Sequence, residues 1–240
     1  MSEIVSELQQ RLLSDIRQVL RRGTRVALVD YPNHANVGDT AIWLGERKVL
    51  KALGVRCVYC TDVARYDRRT MAEVLRDGIV VIHGGGNFGD LWPYHQAFRE
   101  RLIKDFPNNQ IIQFPQSLHF DDLENAKRVR AIVKGHDAFT LFVRDRRSQM
   151  LARDLLDVDA ILTPDAAFAL GTLKRPRAPT TKYVYLRRTD KEAARQMLAG
   201  RAARLIVVTH QVEGKRSTDN LDSPLQLEMN LHQLGLHRPG

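Results

Sequence analysis

Along the first 165 or so positions the apolar residues switch repeatedly between two spacings, one helical and one continuous. Ile4, Val5, Leu8, Leu12, Ile16, Val19 and Leu20 recur three and four apart, which predicts an amphipathic packing helix that stops near Gly23. Short apolar runs follow at Arg25 to Tyr31, Val55 to Cys60, Ile79 to His83, Gln110 to Phe114, Ala138 to Val143 and Ala160 to Leu162. Their continuity reads as strands buried on both faces. Helical spacing returns between them at Thr40 to Leu53, Arg68 to Arg76, Tyr94 to Lys104, Asp121 to Lys134 and Arg146 to Leu156. Strict alternation of this kind predicts an α/β fold, a doubly wound, Rossmann-like parallel sheet covered on both sides.

The alternation breaks at Gly171 to Thr181, where Lys174-Arg175-Pro176-Arg177-Ala178-Pro179 has the composition of a linker. Residues 1–170 are thus expected to form one domain, 171–181 a linker and 182–240 a partial second α/β domain. In that last part Tyr183 to Leu186 and Leu205 to Val208 read as strands around a helix at Lys191 to Ala199. Roughly 60 residues lie near the lower limit for an independent core, so the second domain is expected to be short or cut short.

Charge narrows the partners. The chain has 37 Lys+Arg against 28 Asp+Glu, a net +9, with arginines spread from Arg11 to Arg238. That distribution suits an anionic substrate or surface and no nucleic-acid partner. No apolar run approaches the ~18 residues of a spanning helix, and Met1-Ser2-Glu3 does not open a secretory signal, so the expected location is cytoplasmic. The two cysteines, Cys57 and Cys60, fall within one predicted strand. Three apart, their side chains are expected on opposite faces, as buried structural residues rather than a metal or disulfide pair. No metal site is expected.

Two glycine-centred segments stand at predicted strand ends. Asn36-Val37-Gly38-Asp39 follows the first strand, and Gly84-Gly85-Gly86-Asn87-Phe88-Gly89-Asp90 follows the third. Glycine allows close approach of backbone N–H groups to an anion, and strand ends open into the ligand crevice of α/β folds. Gly84, Gly86 and Gly89 satisfy G-x-G-x-x-G, but the segment follows the third strand and the next strand ends in Gln113-Phe114-Pro115-Gln116, with no acidic residue for a ribose. Neither segment ends in the Gly-Lys-Ser/Thr of a P-loop. A dinucleotide and an ordinary nucleoside triphosphate are both set aside.

These two segments, with Phe114-Pro115-Gln116-Ser117-Leu118-His119, Val143-Arg144-Asp145 followed by Ser148, Thr163-Pro164-Asp165 with Ala167-Phe168, and Tyr185-Leu186-Arg187-Arg188-Thr189-Asp190, form an ordered set. The set resembles the polysaccharide pyruvyl transferase family over roughly residues 25–190. The resemblance implies a two-domain fold similar to GT-B glycosyltransferases. It further implies phosphoenolpyruvate as donor substrate, no tightly bound cofactor, and a glycan or lipid-linked oligosaccharide acceptor in exopolysaccharide or cell-wall polysaccharide assembly. Work at the inner face of a membrane, with peripheral association, would follow. The family's donor-holding Arg-Leu-His segment is not found; His210 is followed by Gln211-Val212-Glu213-Gly214. A truncated member, or one completed by another chain, is therefore expected. A nucleotide-sugar glycosyltransferase and a non-catalytic assembly subunit remain as alternatives.

Moving a carboxyvinyl unit from phosphoenolpyruvate needs a proton on its methylene carbon, a sugar oxygen attacking the cationic centre, and departure of phosphate. Asp39, His119 and Asp90 are the candidates for acid–base work. Asn36, Gly38, Gly84, Gly85, Gly86, Asn87, Gln116, Ser117, Arg144, Asp145, Arg187 and Arg188 are the candidates for holding substrate. Each has a plainer reading: Asn36 and Asp39 as helix caps, the glycines as a tight turn, His119 and His83 as structural histidines, Arg144 and Asp145 as a helix-start ion pair. Trp92 and Tyr94 can stack on a sugar or pack in the core.

Overall fold

The computed structural model describes residues 2–173, Ala178, and the backbone of two further strands at 184–188 and 206–210. The described elements are α1 (Ser2–Arg17), β1 (Arg25–Val29), α2 (Val37–Ala52), β2 (Arg56–Thr61), α3 (Arg68–Leu75), β3 (Ile79–Ile82), β4 (Gly85–Gly89), α4 (Pro93–Asp105) and β5 (Ile111–His119). They continue with α5 (Leu123–Lys134), β6 (Phe139–Val143), α6 (Arg146–Leu156), β7 (Ile161–Leu162), a 3-10 turn (Ala166–Leu170), β8 (Val184–Arg188) and β9 (Ile206–His210).

Strands β1 to β7 form one sheet in the order β2-β1-β3-β5-β6-β7, with β4 paired to β5 beyond the end of β3. Every pair is parallel. The doubly wound α/β fold read from the alternation is what forms. Its order reverses direction between β1 and β3, and such a switch point opens a crevice at the strands' carboxyl ends.

The pleat sorts side chains into two apolar layers. Val26, Leu28, Val81, Ile112, Phe114 and Phe142 face α1 and α2, where Leu12, Ile16, Trp43, Val49 and Leu50 close the layer. Ala27, Val29, Val80, Ile82, Ile111, Leu141 and Val143 face the other side, covered by Met71, Leu75, Phe98, Leu102, Val129, Val133 and Leu156. Gly45 lets α2 lie directly on the 3-10 turn, since a Cβ there would stand 2.0 Å from the Ala166 carbonyl oxygen.

Two elements depart from the sequence reading. The segment Gly84 to Asp90, expected as a loop, is largely strand β4, and β5 runs on through Pro115 to His119 to pair with it. Glycine spacing carries a loop signal, yet Gly89 lies so close to β5 that a Cβ would be 1.8 Å from the His119 carbonyl oxygen. The cysteines are the second departure: both are exposed rather than buried.

By compactness the chain divides into one unit of Met1–His34 with Gly38–Thr172, and another of Ala35–Val37 with Leu173–Gly240. In the second, β8 and β9 pair in parallel in a separate two-stranded sheet. The helix expected at Lys191 to Ala199 and most of the 171–181 linker lie outside the described residues.

Candidate functional site

Because all seven strands of the large sheet are parallel, their carboxyl ends share one edge. At the β1 end the chain leaves through Asp30, a non-glycine residue with φ +70° and 1% exposure. That left-handed conformation costs an L-residue roughly 1–2 kcal/mol, though Asp tolerates it better than most. The Asp30 carboxylate accepts a hydrogen bond from His95 Nδ1 at 2.8 Å and one from Asn87 Nδ2 at 3.3 Å. A carboxylate only accepts, so Nδ1 carries the proton and Nε2 is left as the basic nitrogen of a side chain still 23% exposed.

Asn87 is aimed at Asp30 by what holds its other end. Its Oδ1 accepts from Arg99 Nη2 at 2.7 Å and from Gln116 Nε2 at 2.8 Å, which leaves Nδ2 for Asp30. Arg99 is itself 1% exposed, stacked over Phe88 and bonded to Gln113 and Gln96. Burial brings its pKa down to about 10, against the pull of Asp30 and Glu100, so it stays cationic at neutral pH. A polarised chain thus runs from Arg99 through Asn87 and Asp30 to His95.

Beside this chain His34 Nε2 lies 3.6 Å from Asp39 Oδ2. Burial holds His34 below its ordinary pKa even though Asp39 works the other way, so the imidazole is neutral at pH 7. Underneath, Glu46 accepts from His83 Nδ1 at 2.8 Å and from the Gly84 N–H at 2.7 Å, with both side chains almost fully buried. Burial pushes Glu46 above the ordinary carboxylate range against the pull of His83. His83, which burial alone would lower, is held above its ordinary value by the Glu46 carboxylate. The Trp43 ring packs edge-on against His83.

Further along the edge, Ser117 joins the ends of β5, β6 and β7. Its hydroxyl donates to Asp145 at 2.6 Å and accepts from Arg144 Nε at 2.8 Å, while Arg144 Nη1 reaches Asp165 at 2.7 Å. Asp145 also caps α6 through the Ser148 N–H at 2.7 Å. Burial tends to raise Asp145, but the bonds from Ser117 and Ser148 and the charge of Arg144 hold it below the usual carboxylate range. At the β4 end, Asp90 accepts from the backbone N–H groups of Asp121 and Asp122, and His119 Nε2 lies 3.0 Å from Asp121. Potential ligand atoms of Asp90, His119 and Asp121 come within 4.8 Å of one another.

The candidates from sequence therefore fall into three neighbouring groups. Asp39, Gly84, Gly85 and Asn87 lie with Asp30 and His95; Ser117, Arg144 and Asp145 form the second group; Asp90 and His119 form the third. Gln116, fully buried, braces Asn87, and Gly86 is half-buried in β4. Gly38 stands in the first turn of α2, Asn36 groups with the second unit, and Arg187 and Arg188 end β8. The backbone N–H groups of Gly84, Asn87 and Gly89 are taken by Glu46, Gln116 and Gln96. Asp30, His34, Glu46, His95 and Arg99 were not singled out from sequence. A signal existed for Glu46, which sits on the apolar stripe of Ile42, Trp43, Val49 and Leu50.

The carboxylates of Asp30, Asp39, Asp90, Asp145 and Asp165 crowd this edge, and Arg99 and Arg144 are already bonded to protein groups. Such a wall suits an uncharged polyhydroxyl ligand better than a phosphate. The sequence pattern of one family, polysaccharide pyruvyl transferase, matches residues 36–232. Pyruvyl transferase 1 of Schizosaccharomyces pombe is 36% identical over 183 residues, 72% of this chain and 46% of that protein. EpsO of Bacillus subtilis, which carries a pyruvyl transferase name, is 33% identical over 189 residues, 78% of this chain and 57% of its own. General stress protein 30 of the same bacterium is 27% identical over 196 residues, 76% of this chain and 53% of its own. The chain spans about half the length of these curated relatives. Sheet topology, strand-end motifs and these matches agree, and the chain belongs to the polysaccharide pyruvyl transferase family.

Proposed function

We propose that this chain carries the acceptor-binding half of a transferase that moves a pyruvyl unit from phosphoenolpyruvate to a sugar hydroxyl during polysaccharide assembly. The observation that carries the reading is the Asp30–His95 pair at the β1/β3 switch point, where a buried carboxylate on a left-handed backbone holds an imidazole at the crevice. In this role His95 Nε2 takes the proton of the attacking hydroxyl, and Asp30 stabilises the imidazolium that forms. Tyr94, 62% exposed and edge-on to the His95 ring, offers its face to the sugar, and Asp39 and His34 bond neighbouring hydroxyls.

The donor bears a phosphate and a carboxylate, so it needs cations that are not already neutralised. On this reading those cations lie outside the strand-end edge described above, and the relatives are about twice as long as the part this chain matches. No helix among the described residues is long and apolar enough to cross a membrane.

Thermal shift and phosphate release test the proposal together. The expected outcome is stabilisation by glycan acceptors, and acceptor-dependent phosphate release from phosphoenolpyruvate once the C-terminal half of a longer relative is supplied. Stabilisation by uridine nucleotides with none from phosphoenolpyruvate, with or without that half, would replace it with a glycosyltransferase reading.

A further inference from the structure

Cys57 and Cys60 take no part in the site above, and the register of β2 gives them a different use. β2 is the edge strand of the sheet, and both thiols are exposed. Val26 of β1 pairs with Cys57, but Ala27 pairs with Tyr59, so Val58 is an extra residue. After that bulge Cys60 pairs with Leu28. Val26 and Leu28 face one apolar layer, while Val58 and Tyr59 pack against the other. Cys57 and Cys60 therefore share the face of Val26 and Leu28, which reverses the expectation from regular alternation.

The two thiols act on one another, Cys57 Sγ lies 3.4 Å from the Tyr59 carbonyl oxygen, and the guanidinium of Arg47 on α2 acts on both. The bond from Cys60 holds Cys57 down at about 6 against partial burial, helped by the backbone at Leu28 and Tyr59 and, most weakly, by Arg47. Cys60 is pushed up, since it keeps the shared proton beside a thiolate. An exposed thiolate with a protonated neighbour on the same face has the form of an attacking and a resolving sulfur.

We propose that Cys57 and Cys60 form a dithiol modification site that low-molecular-weight disulfides oxidise to an intramolecular disulfide. The Cys57 thiolate attacks one sulfur of the reagent R–S–S–R and expels one thiolate RS⁻, leaving a mixed disulfide on Cys57. Cys60 then gives up its proton, attacks Cys57 Sγ and expels the second RS⁻. Both leaving thiolates end as thiols, one on the proton that Cys60 gives up and one on a proton from water, and two electrons pass from the protein dithiol to the reagent.

The test uses the full reduced chain with oxidised glutathione as probe, followed by alkylation and intact mass. The wild type should lose two hydrogens and carry no adduct, while Cys60→Ser should accumulate one glutathione on Cys57. Alkylation of Cys57 in the wild type should reach half its maximal rate near pH 6. Glutathione on both cysteines without a bridge, a first adduct on Cys60, or a disulfide-linked dimer as the main product would overturn the proposal. The mass and pH readouts come from the wild type, so the test stands even where Cys60→Ser fails to fold.

Discussion

Asp30 holds a left-handed backbone conformation, is buried, and spends its carboxylate on His95 and Asn87, two side chains of the crevice. Strain of this kind persists where the surrounding structure enforces it, and it motivates a functional reading. Asp30→Asn keeps a residue that tolerates positive φ and keeps an acceptor for His95, but removes the charge that would stabilise an imidazolium. The expected result is an unchanged fold by circular dichroism and a fall in kcat of about 10²–10⁴-fold, the range for acid–base catalysis, with the acceptor KM nearly constant. Steady-state kinetics in the presence of the complementing C-terminal half checks it; an unchanged kcat would remove His95 from the chemistry. Glu46 behaves differently. Glu46→Ala strands the His83 Nδ1 proton and the Gly84 N–H in the core, and should cost about 3–5 kcal/mol in urea denaturation.

At the scale of elements, β4 and the start of α6 make separable predictions. Gly85 has φ +123°, and its missing Cβ would meet Asp39 Oδ1 at 3.6 Å, an ordinary contact. Gly85→Ala should therefore cost only backbone strain, about 1–3 kcal/mol. Gly89→Ala adds a collision with the His119 carbonyl to its own φ of +114°, and chemical denaturation should show a larger loss than for Gly85→Ala. Asp145 caps α6 and ties β5 to β6 through Ser117. Its folded pKa lies below its unfolded one, so its stabilising effect is present above about pH 4, the unfolded value, and is lost as pH falls through the folded value. Asp145→Asn should flatten the acid limb of the stability curve below about pH 4 and leave its shape above pH 5 unchanged.

For the whole molecule, the carboxylates along the edge of the first unit matter to the proposed function, because a phosphate and a carboxylate on one donor both meet them. A di- or trianion held at a single solvent-facing sheet edge stays solvated, and electrostatic stabilisation in high dielectric is small. Residues 1–240 alone should then bind glycan acceptors measurably and phosphoenolpyruvate only weakly in calorimetric titration. Fusion to the C-terminal half of a longer relative should bring donor affinity into the micromolar range together with turnover. Micromolar donor affinity by the chain alone would overturn this expectation.

The order of elements in the first 165 or so residues, β4 apart, was legible in sequence, because period and burial are local properties: α6 falls on its expected bounds at Arg146 and Leu156, and the other strands and helices, save the far end of β5, lie within a few residues of theirs. Motifs at strand ends were legible too, since a parallel sheet places every carboxyl end at one edge. Three things required the tertiary structure. Strand β4 exists because β5 runs past Phe114 to receive it, a pairing that no period within Gly84 to Asp90 encodes. The facing of Cys57 and Cys60 turns on one extra residue against β1, which is a property of register between strands. The Arg99–Asn87–Asp30–His95 chain joins residues up to 69 positions apart on α4, β4 and the end of β1, and hydrogen bonds of that reach depend on geometry that only packing sets.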